Sequence, residues 1–169
     1  MRYCRIKREA SAGQKEHQNL YNNMIEIRTT RLFLRHIEPR YKQSLINLLD
    51  DESVASMMYN VPFPYKETDA DWWIEAVKTK PYVLNVFLKN ELIGGVALTE
   101  QNTKLFELGY WIGKSYWGNG YATEACLGIL EYIENIKSDV QVFAMVHPNN
   151  KASKKVLIKC GFTENGTDI

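Results

Sequence analysis

The chain has 169 residues, of which 45% are hydrophobic and 12% aromatic, and this size and composition predict one globular domain. Its 21 basic residues nearly balance its 20 acidic residues, so the net charge of +1 gives no general reason to expect a nucleic-acid or acidic-surface partner. Three scattered cysteines without a Cys-x-x-Cys spacing argue against a disulfide framework and against a zinc or redox site. No apolar stretch approaches the roughly 18 residues that cross a membrane, so we expect a cytoplasmic protein without a membrane partner.

Patterned sequence begins near Met24. Residues 1–23 are polar, carry five basic and two acidic residues, and show no clean hydrophobic period. We therefore expect a flexible basic N-terminal arm over residues 1–23 and a folded domain over residues 24–169. A basic docking tail, a frayed terminus and a natural start at Met24 all fit this composition.

The first half of the domain predicts one strand followed by helices. Ile27–Ile37 alternates well enough for a strand, and Pro39 suits the first turn of a helix that runs to about Leu49. A second short helical piece, Asp50–Met58, precedes a proline-containing loop, and Thr68 is predicted to cap the next helix.

The second half alternates strands with two helices. The predicted elements are, in order, a hairpin of Val83–Leu88 and Leu92–Leu98, a third antiparallel strand at Leu105–Ile112, a long helix at Tyr121–Ile136, a strand at Val140–Val146, a helix at Asn150–Lys159 and a strand from Phe162. The long helix is the clearest of these, because its apolar residues recur at spacings of three and four.

A glycine loop opens the long helix. Gly118 and Gly120 lie one residue apart before it, where free backbone N–H groups and the positive helix end suit a pyrophosphate. A plain tight turn is the simplest alternative. Gly109–Ser115 imitates a nucleotide P-loop but has three residues between its glycines where four are needed. A dinucleotide fingerprint would need a third glycine where this chain has Thr123.

The order of elements around this loop resembles the GNAT superfamily of N-acetyltransferases over residues 25–162. Within it, the chain is similar to the RimJ/RimL-type enzymes that acetylate N-termini of ribosomal proteins. Four ordered segments carry the resemblance: Thr29–Leu32, Gly109–Ile112, Trp117–Ala125 and Asn150–Phe162. The resemblance implies an α/β (α+β) fold with a mixed, mostly antiparallel central sheet flanked by helices. It also implies acetyl-CoA as cosubstrate and no metal.

The resemblance further assigns the residues that bind acetyl-CoA. Those implied in holding the pyrophosphate through the loop and helix start are Gly118, Asn119, Gly120, Tyr121, Ala122 and Thr123. Backbone groups of Trp111 and Ile112 are implied to pair with the pantetheine arm. Asn150 is implied to form a hydrogen bond with that arm or with a bound water, and Ser153 to lie near the thiol. The chain departs from the family at Ser115, where Gln or Arg is usual. It also departs at Leu157, where many members carry a tyrosine that protonates the departing thiolate.

Transfer of an acetyl group needs a positioned amine, an acceptor for its proton and a donor for the leaving group. Strand alternation places Glu107 on one face with Trp111, so Glu107 is the candidate base, although it also fits a solvated residue or one that only orders the ammonium. Ser153 is the candidate donor to the sulfur, with a local backbone contact as the simpler reading. Tyr110 and Trp111 are expected to contact the substrate.

The acceptor is expected to be a protein or peptide N-terminal α-amine attacked in a ternary complex. An α-amine has a pKa of about 7.7–8.0 and needs less help from a base than a lysine at about 10.4. A polyamine or aminoglycoside acetyltransferase and a non-catalytic CoA-binding module are the alternatives. The C-terminal strand that completes the family's sheet is expected to be missing. Another chain, as in a possible homodimer, or the basic arm would then cover the open edge, or the product would be truncated and impaired.

Overall fold

The structure is a computed structural model that describes the backbone of residues 4–9 and 25–168 and the side chains of residues 25–163. The strands are β1 (Cys4–Glu9), β2 (Glu26–Arg28), β3 (Leu32–Arg35), β4 (Val83–Leu88), β5 (Glu91–Glu100), β6 (Leu105–Ile112), β7 (Gln141–Val146) and β8 (Thr163–Asp168). The α-helices are α1 (Lys42–Leu49), α2 (Glu52–Ala55), α3 (Glu67–Val77), α4 (Tyr121–Ile136) and α5 (Lys151–Lys159). Short 3-10 turns lie at Pro39–Tyr41 and Lys114–Tyr116.

One mixed sheet organises these elements. In the described part of the chain its strand order is β2-β3-β4-β5-β6-β7-β1-β8. Neighbouring strands pair antiparallel except β6 and β7, which pair parallel. The predicted mixed, mostly antiparallel sheet flanked by helices is therefore confirmed, and the sheet is open rather than closed into a barrel.

Two apolar cores cover the two faces of the sheet. One lies under α4 and α5 and includes Ile129, Leu130 and Ile133, which the helical period of α4 brings onto one side. The other lies under α1, α2 and α3 and is centred on Phe87. Burying each such side chain contributes roughly 1.5–3 kcal/mol, so these faces fix where α4 and the early helices sit.

The N-terminal segment forms a strand inside the sheet. β1 pairs with β7 from Cys4 opposite Val146 to Glu9 opposite Gln141, and with β8 on its other side. A flexible basic arm was expected over residues 1–23, and for Cys4–Glu9 this expectation is wrong. Residues 1–3 and 10–24 lie outside the described residues. β1 thus lies beside β7, at the edge where a family strand was expected to be missing, and it supplies hydrogen-bond partners to the backbone groups of β7. Another chain or the basic arm was expected to cover that edge, and in the structure a strand of the basic arm covers it.

Several predicted boundaries shift for local reasons. The single strand expected over Ile27–Ile37 is a hairpin of β2 and β3, because the Thr29 N–H turns back to the Leu32 carbonyl at 3.0 Å. Helix α3 begins at Glu67, so Thr68 lies inside it and does not cap it. Asp69 instead accepts a hydrogen bond from the Lys66 backbone N–H at 2.8 Å.

Candidate functional site

A wedge opens in the sheet between β6 and β7. Within the described ladders these two strands share three residue pairs, which end at Glu107 opposite Phe143. Beyond them β6 continues to Ile112 and remains paired with β5 on its other side. The β7 side of Leu108–Ile112 therefore offers a strand edge to an extended ligand.

Alternation decides which backbone groups of β6 face this wedge. Gln101 N–H donates to the Leu105 carbonyl at 2.8 Å, and Gly113 N–H donates to the Ile93 carbonyl at 2.9 Å. In an antiparallel ladder every second residue makes such bonds, so Trp111 directs its N–H and C=O toward β5. The predicted backbone pairing of Trp111 with the pantetheine arm is corrected accordingly: Leu108, Tyr110 and Ile112 face the wedge.

Two glycines shape the loop between β6 and α4. Gly118 and Gly120 have φ values of 79° and 80°, in the left-handed region that favours glycine. Gly120 is the N-cap of the 16-residue α4, and it has no side chain to cap the first turn. The amides of that turn therefore point out of a long helix whose dipole is positive at this end, an arrangement that favours an anion.

Side chains of the loop hold its own backbone. The Trp117 indole N–H donates to the Ile112 carbonyl at 2.6 Å, and the Asn119 amide donates to the carbonyls of Tyr116 at 3.1 Å and Trp117 at 3.0 Å. Because the Ile112 carbonyl and the Asn119 amide nitrogen are engaged within the loop, a ligand would meet the main-chain N–H groups first.

A clamp ties the loop to the β2–β3 hairpin. Glu124, in the first turn of α4, accepts hydrogen bonds from the Thr29 hydroxyl at 2.6 Å, from the Arg31 backbone N–H at 2.7 Å and from Arg31 Nε at 2.7 Å. Arg31 Nη1 also donates to the Asn119 carbonyl at 3.1 Å, and the guanidinium lies 4.6 Å from the centre of the Tyr121 ring. The sequence prediction assigned no role to Arg31, although it lies within a segment that carried the family resemblance.

The clamp also sets the charge at the loop. Burial raises the pKa of Glu124, but the hydrogen bonds from Thr29 and Arg31 outweigh it and leave the pKa below its usual range. Glu124 is therefore ionised at neutral pH. A carboxylate here would oppose an incoming anion, and the adjacent Arg31 guanidinium offsets it.

The start of α5 brings Asn150 and Ser153 to the α4 side of the sheet. Asn150 Oδ1 accepts the Ser153 backbone N–H at 2.9 Å, so this side chain caps the helix. The Ser153 hydroxyl lies 2.6 Å from the Tyr110 hydroxyl, which is also 3.1 Å from the Ser153 carbonyl oxygen. Leu157 is buried in the core, so its position supplies no polar group.

Glu107 and Trp111 lie on the opposite face of β6 from Tyr110. The Trp111 ring covers Gly95, where an added Cβ would come within 2.5 Å of its indole nitrogen. Gly109 lies between Glu107 and Trp111, and a Cβ there would meet nothing within 4 Å. The structure thus leaves an open floor beside Glu107. Of the two residues predicted to contact substrate, only Trp111 borders it.

Asn85 is a polar residue of this face that the sequence prediction missed. It is 3% exposed, lies opposite Gly95 in the β4–β5 ladder, and donates one long hydrogen bond of 3.4 Å to the Gly94 carbonyl. Its place in an otherwise apolar strand was the available signal, because a buried amide needs partners.

The loop before α3 forms an exposed apolar rim beyond the same face. Its members are Met57, Tyr59 and Phe63, whose exposed fractions are 58%, 72% and 52%. Trp72 of α3 is also exposed, whereas Trp73 packs against the core. Exposed apolar side chains grouped in this way are typical of contact surfaces.

The described residues hold neither a candidate membrane-spanning helix nor a candidate metal-binding cluster. None of the helices there combines the length and apolar character required to cross a bilayer. In the same part of the chain, no group of three or more His, Cys, Asp or Glu side chains is arranged to hold a metal ion.

Comparisons with known proteins place this site in context. A family model described as an acetyltransferase (GNAT) domain matches residues 31–163. The YkkB protein of Bacillus subtilis is 30% identical over 150 residues, which cover 83% of this chain and 86% of that protein. A GNAT acetyltransferase from Bacillus anthracis superposes with a TM-score of 0.75 at 22% identity, covering 84% of this chain and 86% of that one.

A further solved structure relates the chain to the RimL type. RimL, a ribosomal L7/L12 alpha-N-protein acetyltransferase solved with coenzyme A, superposes with a TM-score of 0.72 at 19% identity, covering 82% of this chain and 84% of that one. The expected resemblance to the GNAT superfamily is confirmed by the family model, and the RimL structure shares the fold.

Proposed function

The chain belongs to the GNAT acetyltransferase family, and from that premise we propose that this N-acetyltransferase acts on the α-amine of a protein or peptide N-terminus. The observation that carries the proposal is a path along the site. It runs from the uncapped start of α4 along the wedge side of β6 and ends between Glu107, on one face of β6, and Ser153 of α5, which contacts Tyr110 on the other face. Such a path suits a long cosubstrate that carries a diphosphate at one end and a thioester at the other.

Acetyl-CoA fits the residues along this path. Its diphosphate would accept hydrogen bonds from the main-chain N–H groups of residues 118–123. Its pantetheine arm would extend beside β6 like an added strand, with partners at Leu108, Tyr110 and Ile112. The thioester would then lie near the apex of the wedge, where the pairing of β6 with β7 ends at Glu107.

The chemistry at this apex is a direct transfer. The acceptor nitrogen attacks the thioester carbonyl, a carbon–nitrogen bond forms, and the carbon–sulfur bond breaks to release the thiolate of CoA. Glu107 takes the proton that the attacking nitrogen loses, directly or through water. Ser153 donates a hydrogen bond to the sulfur as negative charge develops there.

Three observations favour an N-terminal α-amine as acceptor. The Glu107 carboxylate beside the floor suits an amine that is already partly neutral at pH 7, as an α-amine is. The apolar rim of Met57, Tyr59 and Phe63 gives the side chains after a peptide N-terminus a surface to contact. RimL, whose name states α-N-protein acetylation, has the same fold.

An acceptor panel tests this function. The full chain is given acetyl-CoA with peptides that have a free N-terminus, the same peptides blocked at the N-terminus but carrying a lysine, a polyamine and an aminoglycoside, and release of CoA is measured. We expect transfer to the free N-terminal peptides with a kcat/KM at least about tenfold above that for the other amines. Preference for a polyamine or aminoglycoside would contradict the proposed acceptor, and transfer to none of them would contradict the proposed activity.

The same panel, repeated with Glu107→Gln, tests the base. Removing the carboxylate should lower kcat/KM about ten- to hundredfold near pH 7, and the loss should shrink above pH 8, where the α-amine is neutral without help. Glu100→Gln changes a carboxylate on the neighbouring strand and serves as the control. An equal loss at every pH would assign Glu107 to structure rather than to proton transfer.

A further inference from the structure

Three oxygens and two protons form a closed group beneath the wedge. The Tyr110 hydroxyl contacts both the Ser153 hydroxyl, at 2.6 Å, and the Ser153 carbonyl, at 3.1 Å. Each hydroxyl can donate one hydrogen bond, whereas the carbonyl can only accept. The direction of the hydroxyl–hydroxyl bond is therefore coupled to where the Tyr110 proton points.

The two hydroxyl protons of Tyr110 and Ser153 can be arranged in two ways. If Tyr110 donates to the carbonyl, the Ser153 proton is used in the bond to Tyr110, and Ser153 has nothing to donate to a ligand. If Tyr110 donates to Ser153 Oγ, the Ser153 proton is released to point elsewhere. Only the second arrangement lets Ser153 donate a hydrogen bond to sulfur.

We propose that Tyr110 is a positioning residue that donates to Ser153 Oγ and thereby directs the Ser153 hydroxyl proton at the sulfur of CoA during acetyl transfer. This inference rests on the proposed function. A developing thiolate is a stronger acceptor than a backbone carbonyl, so the charge itself selects the arrangement in which both hydroxyls donate toward it. The two bonds form a chain, and each polarises the other.

Tyr110 is suited to orient a proton and not to give one up. Burial against the α4–α5 core raises the pKa of its hydroxyl above the usual range. A thiol has a reference pKa of about 8.5, so its thiolate cannot take a proton at equilibrium from a hydroxyl whose pKa is far higher. Tyr110 therefore stays neutral and remains a hydrogen-bond donor throughout the reaction. Its ring is held within the core, so the hydroxyl is already in place when acetyl-CoA binds.

Tyr110→Phe tests the inference, because it removes one hydroxyl and keeps the ring. We expect kcat to fall about five- to twentyfold, the effect of one hydrogen bond, while KM for acetyl-CoA stays within about twofold. Ser153→Ala should cause a similar loss, and the double variant should lose no more than Ser153→Ala alone, because Tyr110 acts through Ser153. The ultraviolet absorbance of bound CoA should show less thiolate in both single variants than in the wild type.

Tyr82→Phe is the matched control, since Tyr82 directly precedes β4 and packs edge-on against Phe106. Thermal unfolding checks that each variant is folded. If the wild type transfers acetyl groups and Tyr110→Phe matches it in kcat and in bound thiolate, or if the two losses multiply in the double variant, the inference fails while the proposed function stands. If the wild type transfers nothing to any amine, the proposed function itself fails.

Discussion

Replacing both loop glycines, as Gly118→Ala with Gly120→Ala, is expected to weaken acetyl-CoA binding about thirtyfold or more. Each glycine has a φ near +80°, and an L-residue with a side chain pays roughly 1–2 kcal/mol to remain there. Two such costs amount to about 2–4 kcal/mol, which the loop can avoid only by rotating its amides away from the diphosphate position.

The double variant should lose affinity without losing its fold. An added Cβ at Gly118 would meet nothing within 4 Å, and one at Gly120 would lie 3.7 Å from Arg31 Nη2, so neither methyl group clashes with the core. Calorimetric titration with acetyl-CoA measures the affinity directly. The loss should appear in the dissociation constant and in KM, with kcat at saturating acetyl-CoA changed much less.

Gly161→Ala is the matched control. Gly161 follows α5 with a φ of 83°, so alanine there carries a similar backbone strain at a position outside the loop. It should lower the unfolding temperature but leave acetyl-CoA affinity within about twofold. Equal affinity in the wild type and the Gly118/Gly120 double variant would show that the main-chain amides of the loop do not hold the diphosphate.

Removal of the Arg31 side chain, as Arg31→Ala, has the second large expected effect: acetyl-CoA affinity should fall about ten- to hundredfold. Two physical changes act in the same direction. The loop loses the hydrogen bonds that the Arg31 guanidinium contributes to its tie with the β2–β3 hairpin, and the Glu124 carboxylate is left without its counter-ion near the diphosphate. Two unit charges of the same sign that lie roughly 4–8 Å apart repel each other by about 2–4 kcal/mol at an effective dielectric constant of about 20.

Adding Glu124→Gln to Arg31→Ala separates these two changes. The glutamine removes the uncompensated negative charge but does not rebuild the tie, so the double variant should recover part of the lost affinity. Arg28→Ala is the control, because Arg28 lies in the same hairpin and pairs only with Glu26 among the ion pairs of the described residues. If the double variant recovers no affinity, repulsion by the uncompensated Glu124 carboxylate does not contribute to the loss. If Arg31→Ala binds acetyl-CoA as tightly as the wild type, the clamp does not support binding.

The clamp also predicts a dependence of stability on pH. The pKa of Glu124 is lower in the folded protein than its ordinary value of about 4.5. The contribution of its ionised form to stability is therefore fully present above pH 4.5 and is lost as the pH falls through the lower folded value. The difference in unfolding free energy between the wild type and Arg31→Ala should accordingly shrink in acid, as urea unfolding at several pH values can measure.

Local patterns predicted the parts of the site that local sequence determines. The glycines before a helix of clear apolar period predicted the glycine loop and α4, and strand alternation placed Glu107 and Trp111 on one face. The same alternation puts Tyr110 on the opposite face, and the prediction that Tyr110 and Trp111 both contact substrate did not apply it.

Long-range pairing produced the features that sequence alone did not predict. Arg31 and Glu124 are 93 residues apart, and no spacing rule relates them. The wedge depends on the residue at which β6 and β7 stop pairing, which is set by the packing of both strands against other elements. The insertion of β1 beside β7 joins opposite ends of the chain, and its polar composition resembled that of an unstructured tail.

Titration of the full wild-type chain with acetyl-CoA, beside a titration with acetylpantetheine, tests the central claim most directly. Acetylpantetheine keeps the thioester and the arm that would lie along β6 but lacks the diphosphate. We expect one acetyl-CoA site per chain and an affinity for acetylpantetheine at least about a hundredfold weaker. Equal affinities, or no binding of acetyl-CoA at millimolar concentration, would contradict it.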